Sequence, residues 1–441
     1  MKKKRLFVYS VDAMVTEDLA YLKQKKNFSQ FLEHVSGCES IQTIYPSITY
    51  PVHVAIQTGC YPEKNGIYCN TLFNTDGSNV GWYWDSRNIK TDNIFAAAKR
   101  NGYTTGVGYW PVTAYNTNVD YHLPEYWLAY PGDTFEGTFS EMGADDYIVS
   151  LMQKHSHLLP STYRLTGKAN FTVEPQFDDF MVHVVCDFIR EKAPEVVFIH
   201  GSLIDSYRHK NGIFNAKVEE GLDQVDEWFG MIQQAYKDAG VYEDTNFVIL
   251  SDHGQRDLAR VVKPNAYLAD KGFIRLDEEG NVADWDCYGI SNGMSMTFWL
   301  KNPNDQKKHD EVLAYLRHLA DEGIYGFTQV FTREELARDH HWDGDFAFVV
   351  EGDGYTSFAD GCTRPLVSNF DLKDYRMGRA THGYLPDKGP QPVFLCKGPD
   401  IKPDVMLPRH PIVDEGPTFA ALLGIELQGA QGTAMRELLK D

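Results

Sequence analysis

The sequence predicts an α/β protein with a mainly parallel central sheet covered by helices on both faces, to which a smaller α+β layer and a roof insertion are added. Three observations predict it. Short apolar runs of strand length alternate with amphipathic stretches of helix length, the pattern of a sheet buried on both faces. Acidic residues, Asp12, Asp205 and Asp252, stand at or just beyond the ends of three of these runs, where ligands gather in such sheets. The 441 residues also exceed what one hydrophobic core usually fills.

Taken in order, Leu6 to Val11 reads as the first strand, followed by one helix from about Glu17 to Val35 that Gly37 would stop. Tyr50 to Thr58 reads as a short helix, Asn93 to Asn101 as another, and Tyr103 to Trp110 as a strand. Pro175 to Lys192 is predicted helical, Glu195 to His200 a strand, Asn215 to Ala239 a long helix and Asn246 to Leu250 a strand. On the long helix Val218, Leu222, Val225, Phe229, Ile232 and Tyr236 recur at three- and four-residue spacing, which makes one buried face.

Two segments break this rhythm. Residues 111–172, rich in Tyr, Trp, Pro and Gly, read as an insertion roofing a site, with Tyr121, Tyr126, Trp127, Tyr130 and Pro131 among them. Residues 264–360 read as the smaller α+β layer. The chain then returns through a strand near Gln391 to Cys396 and a helix near His410 to Leu423, so residues 1–263 and 361–441 are expected to form the catalytic core.

Composition narrows the function. A formal charge of −20 excludes a broad basic face for a nucleic-acid polymer, although bound cations can reverse the field locally. Met1-Lys2-Lys3-Lys4-Arg5 is followed by too short an apolar run for a signal peptide, and no apolar stretch is long enough to span a membrane. Seven scattered Cys without a C-x-x-C pair point to reduced thiols and a cytoplasmic protein. The oligomeric state is not written in the sequence.

The chemistry is carried by Asp205 with His209, by Ser251-Asp252-His253-Gly254, by Thr381-His382-Gly383, by Asp12, and by Thr49 in a strand-to-helix turn. Mixed carboxylate and imidazole donors suit zinc, with manganese as the alternative, better than magnesium or calcium. Asp205 and His209 are four apart, so a helical turn puts both on one face. Together these residues supply ligands for two ions.

In this order the motifs resemble the alkaline phosphatase superfamily, and within it the nucleotide pyrophosphatase/phosphodiesterase branch. The likeness rests on Asp12, Pro46-Ser47-Ile48-Thr49-Tyr50-Pro51-Val52-His53, the turn Gly59 to Ile67, Asp205 with His209, Ser251-Asp252-His253-Gly254 and Thr381-His382-Gly383. The resemblance implies an alkaline phosphatase-like fold and two zinc ions, one held by Asp205, His209 and His382 and the other by Asp12, Asp252 and His253. It implies Thr49 as the nucleophile facing both ions and Asn70 as a donor to a phosphoryl oxygen.

The expected substrate is a small phosphate diester, phosphoanhydride or nucleotide, cleaved through a phosphothreonine. A phosphonate hydrolase, a monoesterase and a catalytically silent binding protein are the alternatives. Asn65 and Gln255 depart from common family residues and are expected to bear on substrate subclass. His53 is expected to pack or support rather than act as a base.

Overall fold

The computed structural model describes residues 3–73, 81–126, 133–159 and 174–440. Trp127, Tyr130 and Pro131 of the expected roof lie outside the described residues.

The strands that organise the site are β1 (Arg5–Val11), β2 (Ser36–Cys38), β3 (Thr105–Gly108), β4 (Tyr121–Leu123), β5 (Val196–Gly201), β6 (Thr245–Leu250), β7 (Cys287–Ser291), β8 (Ser295–Leu300), β9 (Phe327–Thr332), β10 (Phe348–Gly352), β11 (Phe394–Lys397) and β12 (Met406–Leu407). The helices around them are α1 (Thr49–Thr58), α2 (Gln176–Lys192), α3 (Leu203–Asn211), α4 (Ala216–Asp238), α5 (Gln306–Asp321) and α6 (Glu415–Leu423).

The central sheet runs β12-β2-β11-β6-β1-β5-β3-β4. Only β11 opposes its neighbours β2 and β6; the other pairings are parallel. Alternation along β1 sends Phe7, Tyr9 and Val11 to one face, against α2 and α4, and Leu6 and Val8 to the other, against α1 and α6. Ser10 and Asp12 share the parity of Leu6 and Val8, and therefore the α1 side. All six apolar residues singled out on α4 are buried.

Two early expectations change. The helix from Glu17 to Val35 is broken into helices at Leu19–Leu22 and Lys26–Leu32, and Gly37 lies in β2 rather than at a helix stop. The cause is tertiary: Asp226 on α4 accepts the backbone N–H of Asn27 at 3.0 Å and of Phe28 at 2.7 Å, satisfying the first amides of a new helix as a cap would. Tyr121 to Leu123, read as part of a roof, is instead edge strand β4 of the main sheet, where Tyr121 stacks on Phe188 of α2 at 6.2 Å.

A second sheet, ordered β7-β8-β10-β9, is antiparallel throughout. It buries its own apolar cluster with Val312, Leu316 and Leu319 of α5. Glu351 of β10 is fully buried and joins this sheet to the core, accepting from the Tyr45 hydroxyl at 2.8 Å, the Leu385 N–H at 3.1 Å and Lys388 Nζ at 2.8 Å.

Candidate active site

At the carboxyl ends of β1, β5 and β6 the chain crowds three carboxylates and three imidazoles into one buried space. Asp12 directly follows β1, and its N–H bonds to the Gly201 carbonyl at 2.9 Å, so the strand pairing fixes its backbone. Asp205 and His209 project from one face of α3, with His209 Nε2 3.1 Å from Asp205 Oδ2. Asp252 and His253 follow β6, and His253 Nε2 lies 3.2 Å from Asp252 Oδ2 and 3.6 Å from Asp12 Oδ1. His382 arrives from the loop after the second sheet, its ring stacked on His253 at 4.0 Å. None of these six residues is more than 4% exposed.

Backbone carbonyls aim two of the rings. His209 Nδ1 lies 2.7 Å from the Ala380 carbonyl and His382 Nδ1 3.2 Å from that of Ser47, which turns both Nε2 atoms towards the carboxylates. Gly383 is required beside His382: its φ is +87°, and a Cβ there would strike the Asn292 carbonyl.

Two groups can each surround an ion, Asp205 with His209 and His382, and Asp12 with Asp205 and His253; within each, one donor atom per residue lies within 4.8 Å of the others. Asp205 therefore reaches both positions. Asp252, assigned to the second group by the resemblance, stands beside that group through its contact with His253.

Electrostatics favours cations here. Burial, with the neighbouring Asp252 and Asp205 charges, pushes the Asp12 carboxyl far above its ordinary range, and burial lifts Asp252 to about 7. Asp205, although buried, is held below the ordinary range by His209, His382 and His253. Burial lowers His382 to about 4 and holds His253 well below the ordinary imidazole range, leaving neutral imidazoles with a lone pair to give. Asp12 Oδ1 and Asp252 Oδ2 are buried without a hydrogen bond. Stranded carboxylate oxygens beside neutral imidazoles fit divalent ions of the zinc type.

Thr49 opens α1 and, unlike the ligands, is partly exposed; its Oγ1 is 3.3 Å from His253 Nε2. The Tyr50 N–H behind it donates to Asn70 Oδ1 at 2.9 Å, so the Nδ2 end of Asn70 is its donor, and the same amide bonds the Tyr375 hydroxyl. Tyr375 lies parallel to His382 at 5.7 Å and faces Trp82 at 6.1 Å.

Asn65 and Gln255 prove to have structural work. Both are fully buried. Asn65 bridges the Cys60 carbonyl and the Ile67 N–H at 2.8 Å each, and Gln255 holds Asp205 through Oδ1 at 2.5 Å and the carbonyl at 3.0 Å. Asn65 thus braces the turn from Cys60 to Ile67, and Gln255 braces Asp205.

Sequence reasoning missed His200, whose Nε2 lies 3.1 Å from Asp12 Oδ2, and Arg208, buried on α3 with Asp18 at 2.6 and 2.7 Å. A polar residue directly closing the apolar run Val196 to Ile199 and a cation between two ligands were the available signals.

This fold and site define a class. Solved structures of murine ectonucleotide pyrophosphatase/phosphodiesterase 5 superpose with a TM-score of 0.67 at 18% identity, covering 99% of this chain and 100% of that one. An inactive form of that protein in complex with AMP gives 0.68 at 17%. Residues 6–385 match the family model described as type I phosphodiesterase / nucleotide pyrophosphatase. The chain belongs to this family, within the alkaline phosphatase superfamily.

Among curated relatives, ectonucleotide pyrophosphatase/phosphodiesterase family member 1 of Mus musculus is 25% identical over 252 residues, 54% of this chain and 22% of that protein. Bis(5'-adenosyl)-triphosphatase enpp4 of Xenopus laevis is 22% identical over 417 residues, 92% of this chain and 75% of the relative. The chain thus spans less than a quarter of the length of the mouse relative.

Proposed function

We propose that this chain is a two-metal hydrolase that cleaves small phosphate diesters or nucleotide phosphoanhydrides, with Thr49 as the nucleophile. The observation that carries the reading is the position of Thr49: a partly exposed hydroxyl at a helix N-terminus, beside His253, where two buried ligand groups sharing Asp205 converge. Family membership supports the same reaction class.

Asp205, His209 and His382 would hold one zinc ion, and Asp12 and His253, with Asp252 beside them, the other. Bound ions would supply Lewis acidity at the attacking and leaving oxygens of an in-line displacement. Thr49 Oγ1 forms the new bond to phosphorus as the bond to the leaving oxygen breaks, and water later cleaves the phosphothreonine to restore the hydroxyl. The Thr49 N–H, at the positive end of α1, would face a non-bridging oxygen of the phosphoryl group. Asn70 donates from Nδ2 to a non-bridging oxygen, held in place by the Tyr50 N–H on its other end.

The seven cysteines are all free and six are buried, which supports a reducing, cytoplasmic setting as part of the proposal. No helix among the described residues is long and apolar enough to cross a membrane.

The test combines metal content with turnover of bis-p-nitrophenyl phosphate and p-nitrophenyl phosphate. Two ions per chain and faster diester turnover are expected, with Thr49→Ala losing roughly 10³-fold or more in kcat. Metal-loaded protein that cleaves neither ester would refute the enzyme reading, and faster monoester turnover would refute the diester choice.

A further inference from the structure

A carboxylate just past a strand end turns freely about its side-chain torsions unless one oxygen is tied down. Asp12 is such a residue. Its Oδ1 is the oxygen nearer His253, at 3.6 Å, and makes no hydrogen bond. Its Oδ2 lies 3.1 Å from His200 Nε2. His200 is 3% exposed and belongs to neither ligand group.

The fold fixes that imidazole. His200 pairs with Ser10 in the β1/β5 register, so both side chains leave the sheet on the α1 side. There the His53 ring meets the His200 ring edge-on, at 4.4 Å and 68°. His53 is itself tied at both nitrogens, Nε2 to the Ser10 hydroxyl at 2.9 Å and Nδ1 to the Thr49 carbonyl at 2.8 Å. A chain of contacts thus runs from the first turn of α1 through His53 to His200 and on to Asp12.

We propose that His200 is a positioning residue, which holds Oδ2 of Asp12 so that Oδ1 is presented to the metal ion shared with His253. The inference rests on the reading of Asp12 as a ligand. Outer partners of metal ligands typically govern affinity by roughly 10- to 100-fold, and nothing in the reaction itself calls on His200.

The experiment measures zinc dissociation constants by chelator competition on the full chain, for wild type, His200→Phe and His200→Gln, with circular dichroism to verify the fold. The phenylalanine fills the space without a polar atom, whereas glutamine carries a terminal N–H of similar reach. For one of the two ions His200→Phe should bind roughly 10- to 100-fold more weakly, and His200→Gln should return to within about threefold of wild type. Should the phenylalanine variant fail to fold, His200→Asn replaces it: one methylene shorter than glutamine, it should bind weakly where glutamine binds tightly. Unchanged affinity in a folded phenylalanine or asparagine variant overturns the inference, as does a glutamine variant no tighter than either. A folded wild type that takes up no zinc overturns the metal reading of the site instead.

Discussion

Replacing Asn70 separates two effects that its geometry joins. Its Oδ1 accepts the N–H of Tyr50, a residue 1% exposed, at 2.9 Å, and its Nδ2 is the end proposed to meet the phosphoryl group. Asn70→Ala removes both: the stranded Tyr50 N–H should cost about 1–3 kcal/mol of stability, and loss of the transition-state donor about 2.7–4 kcal/mol of activation, or roughly 10²- to 10³-fold in kcat. Asn70→Asp keeps an acceptor for Tyr50 and loses only the donor. On metal-loaded protein the aspartate variant should therefore unfold in urea closer to wild type than the alanine variant does, yet lose at least as much kcat on bis-p-nitrophenyl phosphate. If the aspartate variant retains kcat within about threefold, Asn70 is not the oxyanion donor and the reasoning fails.

The remaining expectations concern the ligands and what supports them. In the metal-free protein Asp252 is raised from 3.8 to about 7, so its contribution to stability is present below the ordinary value and lost as pH rises through about 7. Zinc must displace that proton at pH 6 but not at pH 8; uptake should be tighter at pH 8, and the zinc-induced rise in Tm larger there than at pH 6, with equal rises refuting the linkage. Asp18→Ala leaves the Arg208 charge buried and unpaired, and urea unfolding should show a loss of about 3–5 kcal/mol, whereas less than about 1 would show the pair to be dispensable. Gly383→Ala forces a side chain at φ +87° against the Asn292 carbonyl; zinc analysis should show the ion held by His382 weakened or lost, and full occupancy of both positions would contradict this.

The strand ends were legible because a buried strand announces itself as an apolar run and an acid after such a run is hard to explain otherwise. Asp12, Asp205 and Asp252 could therefore be read from local pattern, and Asp205 with His209 from helical spacing. His200 could not, because its meaning depends on standing opposite Ser10, 190 positions away in the chain. The break near Lys25 was invisible for the same reason: the carboxylate that caps the new helix sits on α4, at Asp226. The support Gln255 gives Asp205 was equally out of reach of the sequence, since only the fold shows its amide turned back onto that carboxylate.

The single carboxylate of Glu351 receives Tyr45 from just before α1, Leu385 and Lys388 from the loop just after His382, and itself belongs to the second sheet. Three stretches remote in sequence are thereby keyed to one point, four residues before the nucleophile and a few after a ligand. The smaller layer is in this sense a template rather than an ornament: a chain trimmed to the parallel core would still contain Asp12, Asp205 and Asp252, yet would lose the carboxylate that ties the stretches flanking Thr49 and His382 to one point.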